Sequence, residues 1–308
     1  MRAKKASRAI LWAAFSAALL CAAWPLLAPA PKSDFPIAEF SRLPVLEGGR
    51  VKPIDSFARN SLLLIRGTQT LPVEGRTQSA AEWLLDAMFH PEAADTRPVF
   101  VIDDPDVLGI LGLRQDRERR FAYWQIEPQR DEVGAQAQRA AKIEASRRTR
   151  FQSSVIALAN RLDLYERIKN TLMISGSDDP VRELAAFSEV LPGALRAVHG
   201  LKTASAQDKA QVKALSELLE RYRFLAGAAA FRPLPPRQGD ADDAWKSFGE
   251  GVTQPDGRPP HPGLAAYALM ARSYRRSDPA AFQSALSEFT AWVEQTRPAD
   301  AARARDEV

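Results

Sequence analysis

The residues able to do chemistry are few in this 308-residue chain, and they are not spaced for it. Its three histidines, His90, His199 and His261, include no pair at the i, i+4 spacing that places two imidazoles on one helix face. His90, in Phe89-His90-Pro91, is of the type that ligates haem iron, but a histidine closing a helix more commonly answers the helix dipole. His199 before Gly200 and His261 between two prolines read as loop residues. The single cysteine, Cys21, lies in an apolar run, so a disulfide within the chain, a CxxC redox pair and a cysteine metal cage are all excluded. Asp103-Asp104 and Asp178-Asp179 each precede a proline, which favours helix capping over metal binding or acid–base work. Gly48-Gly49 lacks the GxGxxG pattern of a phosphate loop, and no Gly-x-Ser-x-Gly elbow presents a serine nucleophile. No catalytic constellation results, and the expectation is a protein that is not an enzyme.

One cluster has a sharper reading, and the elements that must position it are legible. Leu43-Pro-Val-Leu-Glu-Gly-Gly-Arg-Val-Lys-Pro53 reads as two short extended pieces about Glu47-Gly48-Gly49, because paired glycines supply the positive φ angles of a tight hairpin. Asp55 then stands where a helix N-cap belongs, ahead of a helix running to Arg66 and closed by Gly67. A hairpin feeding a capped helix displays Arg50, Lys52 and Arg59 with Asp55 on one small surface. Such a surface suits a haem propionate or the acidic face of a partner protein. In the competing reading Asp55 only caps, and the cations form internal pairs that fix the hairpin on the helix. The candidate partner-binding set is Gly48, Gly49, Arg50, Lys52, Pro53, Asp55 and Arg59, with His90 as the candidate haem ligand.

Beyond this unit a helix is expected from Ser79 to His90, with Trp83, Leu84, Ala87 and Met88 on one face. Pro98 to Asp103 and Arg120 to Ile126 are extended candidates. From Asp131 to Thr171 there is one glycine and no proline, and apolar residues recur at Phe151, Val155, Leu158, Leu162, Tyr165 and Ile168, which predicts one long amphipathic helix. A second, through Val212, Leu215, Leu218, Leu219, Tyr222 and Leu225, is expected to pack antiparallel on the first. Residues 31–230 would form the main domain, 231–260 a loop or linker, 261–296 a helical pair and 297–308 a disordered tail with too little apolar surface to stay ordered. Trp83, Trp124, Trp245 and Trp292 are expected in the core. The fold class is mainly α: amphipathic helices packed as a bundle, with a small β-hairpin component near the N-terminal motif.

The bundle is expected to be preceded by one membrane helix. Residues 1–8 carry Arg2, Lys4, Lys5 and Arg8 without an acidic residue, and an apolar run of about 22 residues follows from Ala9 to Ala30, long enough to span a bilayer. Cations on the cytoplasmic flank place the N-terminus inside and the bulk of the chain outside, in the periplasm. Ala28-Pro29-Ala30 has the small-x-small form of a cleavage site, but Pro31 directly after it favours an uncut anchor. Of 42 Lys and Arg, the 38 beyond residue 8 equal the 38 Asp and Glu, so the exported part is neutral and nucleic-acid binding by a basic surface has no support.

The run from Leu43 to Arg59, Leu-Pro-Val-Leu-Glu-Gly-Gly-Arg-Val-Lys-Pro-Ile-Asp-Ser-Phe-Ala-Arg, resembles the periplasmic region associated with system II cytochrome c biogenesis proteins of the ResB/CcsA type. Members of that family read approximately Leu-Pro-Val-x-x-Gly-Gly-Arg-Ile-Lys-Pro-Leu-Asp-Thr-Phe-Ala-Arg. The likeness continues through Glu82 to Pro91 and Val99 to Leu113, and more weakly from Tyr267 to Phe289. The resemblance implies a part in delivering haem across the membrane and attaching it to CxxCH apocytochromes. Complete synthases resemble multi-span membrane proteins with a tryptophan-rich external loop flanked by histidines, and this chain has neither. It therefore implies a separate, non-catalytic subunit acting with a CcsA/ResB-like membrane partner and in contact with apocytochrome c, haem entering through the complex rather than as a cofactor of this chain. The rival reading is a general TPR-like helical adaptor of the cell envelope, since Ala265 to Val293 has the alanine and aromatic spacing of one such helix pair.

Overall fold

A computed structural model of the chain describes residues 33–73, 75–115, 119–173, 179–199, 205–253 and 258–308. The basic flank at 1–8, the apolar run at 9–30, Cys21 and Asp178 lie outside the described residues. Among those described, no helix is long and apolar enough to cross a membrane. The body is mainly helical, with three two-stranded antiparallel sheets, as the apolar periodicities led one to expect.

The first sheet is the motif hairpin. Strands β1 (Pro44–Glu47) and β2 (Arg50–Pro53) pair from Pro44 with Pro53 to Glu47 with Arg50. Gly48 and Gly49 turn the chain at φ 59° and 78°, a left-handed backbone that disfavours a side chain at either position. Helix α1 (Ile54–Arg66) follows without a break and ends on Gly67 at φ 80°. Its inner stripe is Ile54, Phe57, Ala58, Ser61, Leu62 and Ile65, all buried. The N-terminus differs from expectation: Pro53 occupies the cap position, and Asp55 lies inside the first turn. The reason is that the Ile54 amide donates to the Leu43 carbonyl at 3.0 Å and the Asp55 amide to the Ser41 carbonyl at 2.9 Å, so backbone from the preceding segment satisfies donors that a capping side chain would otherwise serve.

A second hairpin, Thr70–Val73 with Arg76–Ser79, leads into α2 (Ala80–Phe89), whose N-cap Ser79 accepts from the Glu82 amide at 3.2 Å. Trp83, Leu84, Ala87 and Met88 are buried on it as their spacing predicts. The third sheet joins Pro98–Val101 to Arg120–Ala122. The second of these strands is shorter than expected because the chain turns helical at Tyr123–Ile126. That turn sends Tyr123 and Ile126 inward and leaves Trp124 59% exposed, so Trp124 is not a core residue, while Trp83 and Trp245 are. Asp104 accepts from the amides of Asp106 and Val107, and Asp179 from those of Val181 and Arg182. Both carboxylates are helix caps.

The long helix expected over Asp131 to Thr171 is two helices, α3 (Arg130–Ala141) and α4 (Arg150–Lys169), folded back on each other. The Arg148 guanidinium takes the Ile143 and Ala141 carbonyls at 2.9 and 3.3 Å, which ends the first helix. Thr149 and Gln152 form a reciprocal capping box that starts the second. The next two helices, α5 (Pro180–His199) and α6 (Ala206–Ala228), likewise pack on each other, so two local helical hairpins replace the expected pairing between distant helices.

The described residues from Phe231 to Thr253 are not a linker. Arg232 exchanges backbone hydrogen bonds with Leu46 at 2.8 and 3.0 Å, Leu234 exchanges a pair with Lys246, and Phe231 packs edge-on against Phe57 at 4.8 Å. The segment thus straps the motif hairpin, and α7 (Phe248–Thr253) leads on to the helical pair α8 (Pro262–Arg275) and α9 (Pro279–Thr296). One continuous apolar core runs from Phe40 to Ala301. The tail is ordered as well: α10 (Pro298–Asp306) buries Asp300, Ala301 and Ala304 against the motif hairpin and α9. Its alanines permit close approach, and Arg297 holds Asp300 at 2.9 Å and Asp242 at 2.7 Å, which offsets the small apolar area.

Candidate functional site

The motif hairpin, α1 and the C-terminal helix meet at a polar cleft of about 290 Å³, lined by Arg50, Lys52, Ser56, Arg59, Asn60 and Gln69. Each cation in it has an acidic partner within the chain. Lys52 pairs with Glu47 across the hairpin, and Arg59 pairs with Asp55 one helical turn away. Arg50 reaches Glu307, its Nη2 3.3 Å from Oε2, and Ser56 donates to Oε1 of the same carboxylate at 3.0 Å. The competing reading of internal pairs is therefore present in the geometry, with Asp55 as a pairing residue in place of a cap. Gly48 and Gly49 form the exposed turn, and Pro53 is buried at the helix cap.

The pairs do not close the surface. The Arg50 and Arg59 side chains remain 70% and 45% exposed. Ion pairs at such exposure contribute under about 1 kcal/mol, so a carboxylate from outside the chain can exchange with Glu307 at little cost. The outer face of α1 adds apolar contact area. With the inner stripe facing the core, Leu63 and Leu64 point outward at 45% and 63% exposure, one turn beyond Arg59 and Asn60. Sequence reasoning did not single these two out. The signal was the run Leu62-Leu63-Leu64-Ile65, four consecutive apolar residues of which one helix face can bury only some. Glu307 lies in the tail whose composition predicts disorder, so its type and position in the sequence do not point to the hairpin.

The other candidates do not join this site. His90 is exposed where α2 gives way to a short helical turn, its amide donating to the Asp86 carbonyl at 2.8 Å. His199 closes α5 rather than lying in a loop. His261 is buried and caps α8: Nδ1 accepts from the Gly263 amide at 3.0 Å, and Nε2 lies 3.0 Å from the Pro235 carbonyl, to which it donates. Burial, reinforced by Arg237 and Lys246 nearby, lowers its pKa to about 4.

A second constellation that the sequence did not suggest lies beside α4. Lys169 Nζ contacts both oxygens of Asp95 at 2.7 and 3.0 Å and sits 4.2 Å from the centre of the Tyr123 ring. Tyr165 donates to Asp95 at 3.0 Å, Tyr123 donates to Glu166 at 2.9 Å, and Arg130 pairs with Glu166. A lysine between tyrosines and carboxylates has the look of acid–base machinery. Its chemistry runs the other way, since burial and the adjacent carboxylates push both phenols up, away from the range in which a tyrosine gives up its proton. All five tyrosines of the chain are raised, burial being the largest cause in each. This network joins the third sheet to the α3–α4 hairpin. No protein-family model matches the chain, and no curated protein sequence is significantly similar to it.

Proposed function

We propose that this chain is a non-catalytic component of system II cytochrome c maturation, held at the membrane by residues 9–30 with its body outside the cytoplasm. It docks to a CcsA-like membrane partner through the outer surface of the run from Leu43 to Arg59 and its helix. The observation that carries the reading is the composition of that surface. Exposed Arg50 and Arg59 ring a cleft in which Glu307 occupies the position of a partner's carboxylate, and exposed Leu63 and Leu64 stand beside it as apolar anchors. Charged rim and apolar anchor together are the make-up of a protein-docking surface. The Leu43 to Arg59 resemblance supports the identity of the partner. Haem belongs to the assembled complex, and apocytochrome c is its second client.

The reading is tested by placing a photoreactive phenylalanine analogue at Leu64, and separately at Trp124 on a distant exposed element. Illumination in the host is expected to join the Leu64 variant, and not the Trp124 variant, to a CcsA-like membrane protein. An adduct formed only from Trp124 would move docking to another face.

A further inference from the structure

A larger cleft is lined by residues of the strap and by none from Leu43 to Gly67, and nothing in the docking proposal uses it. About 470 Å³ opens between α5, the strap, α7 and the start of α8. This is within the range of small-molecule sites, roughly 300–1,000 Å³. Its walls are apolar, drawn from Phe187, Leu234, Val252 and Leu264. The floor is fixed by close packing: a Cβ on Gly251 would come within 2.4 Å of one Leu234 methyl, and a Cβ on Gly263 within 2.7 Å of the other. The two hydrogen bonds of the His261 ring tie that floor to the strap at Pro235.

The cleft's charge is one-sided. Among the described residues, Arg237, Lys246 and Arg258 line it against a single carboxylate, Asp240. Asp240 is already engaged, by the Arg258 guanidinium at 3.0 Å and by the Arg237 amide at 3.0 Å, and the Arg237 guanidinium donates to the Pro259 carbonyl at 2.7 Å. Lys246 differs from them. Its backbone pairs with Leu234, its side chain is half-buried, and its ammonium has no hydrogen-bond or ion-pair partner among the described residues. A partly buried lysine whose ammonium has no counter-charge among the described residues, standing beside a preformed apolar wall, suits a ligand with an anionic head and an apolar body.

From this geometry we infer that the cleft binds a long-chain acyl carboxylate, its chain along Leu234, Val252 and Leu264 and its head at Lys246. The site is independent of the docking surface, so either assignment can fail without the other. An anionic head on an acyl chain is supplied by a free acid, as a carboxylate, or by an anionic phospholipid, as a phosphodiester, and the test separates these.

The full chain, in native membranes, is photolabelled with a diazirine analogue of palmitic acid and, in a parallel sample, with the same diazirine chain in phosphatidylglycerol, and labelled peptides are mapped. The free-acid probe is expected to label residues within 234–265, with yield falling at least fivefold under excess palmitic acid but not under hexadecylamine. Lys246→Glu is expected to reduce that labelling at least fivefold. Ala265→Trp, at an exposed position on the rim, should block the cleft without disturbing the core. Circular dichroism on each variant checks that it is folded. Labelling by the phospholipid probe alone would assign the site to lipid in place of free acid and overturn the inference as stated. Labelling unaffected by both substitutions, or suppressed equally by hexadecylamine, would overturn the inference of an anion site.

Discussion

Asp95→Ala is expected to lower stability by about 3 kcal/mol, visible as a fall of roughly 6–12 °C in melting temperature for a protein of this size. The carboxylate is the acceptor for Lys169 through both oxygens and for the Tyr165 hydroxyl. The Lys169 side chain is only 11% exposed. Removing the carboxylate leaves a largely buried ammonium facing two aromatic rings with its counter-charge gone, and an uncompensated buried charge costs far more than the net worth of the pair that held it. A double variant, Asp95→Ala with Lys169→Met, removes the stranded charge and is expected to recover more than half of the loss. Thermal denaturation of the two variants beside the parent chain checks both values. A loss under about 1 kcal/mol for Asp95→Ala would mean that the network contributes no more than an exposed pair does.

His261 supplies the second large effect, as a pH dependence. In the unfolded chain its imidazole takes a proton below about pH 6.5, whereas the folded protein holds it neutral down to about pH 4. Between those values the unfolded state binds more protons, so stability decreases as pH falls through the window and does not depend on this group above it. The full loss by pH 4 is about 3 kcal/mol. The structural cause is that Nδ1 must stay unprotonated to accept from Gly263 while the ring is packed edge-on against Trp292 at 4.9 Å. His261→Gln is expected to be less stable at pH 7 and to show a flatter decline between pH 6.5 and 4. Chemical denaturation at half-unit pH steps reads the slope of each protein. A parent chain and variant with parallel slopes would remove His261 from the acid sensitivity.

Where the sequence was legible, the reason was local. Gly48-Gly49, Gly67 and the Asp104 and Asp179 caps are set by residues within a few positions of one another, and all are found in their expected roles. Where it was not, the deciding contacts are distant. Asp55 loses its capping task to carbonyls of Ser41 and Leu43, the strap is ordered by pairing with Leu46 nearly two hundred positions away, and α10 is ordered by the motif hairpin it covers. The break between α3 and α4 was readable, since Thr149 and Gln152 stand at capping-box spacing, but the unbroken apolar period from Phe151 onward masked it. At the candidate site, the cations were legible from their types and spacing. Their partners were not, because Glu307 arrives from the far end of the described chain.

The central claim, that the outer face of the motif unit docks the partner, is tested most directly by the amount of holocytochrome c in a host carrying Arg59→Glu or Leu64→Asp. Leu64 is well exposed, so its replacement is expected to move stability by under about 0.5 kcal/mol. Arg59→Glu sets a like charge one turn from Asp55, which costs a similar amount, and Asp55→Ala is the matched control for loss of that pair alone. The account predicts that both outer-face variants keep near-normal abundance and melting temperature while holocytochrome c falls several-fold, and that Asp55→Ala leaves holocytochrome c close to normal. Full holocytochrome c with both outer-face variants stably present would contradict it.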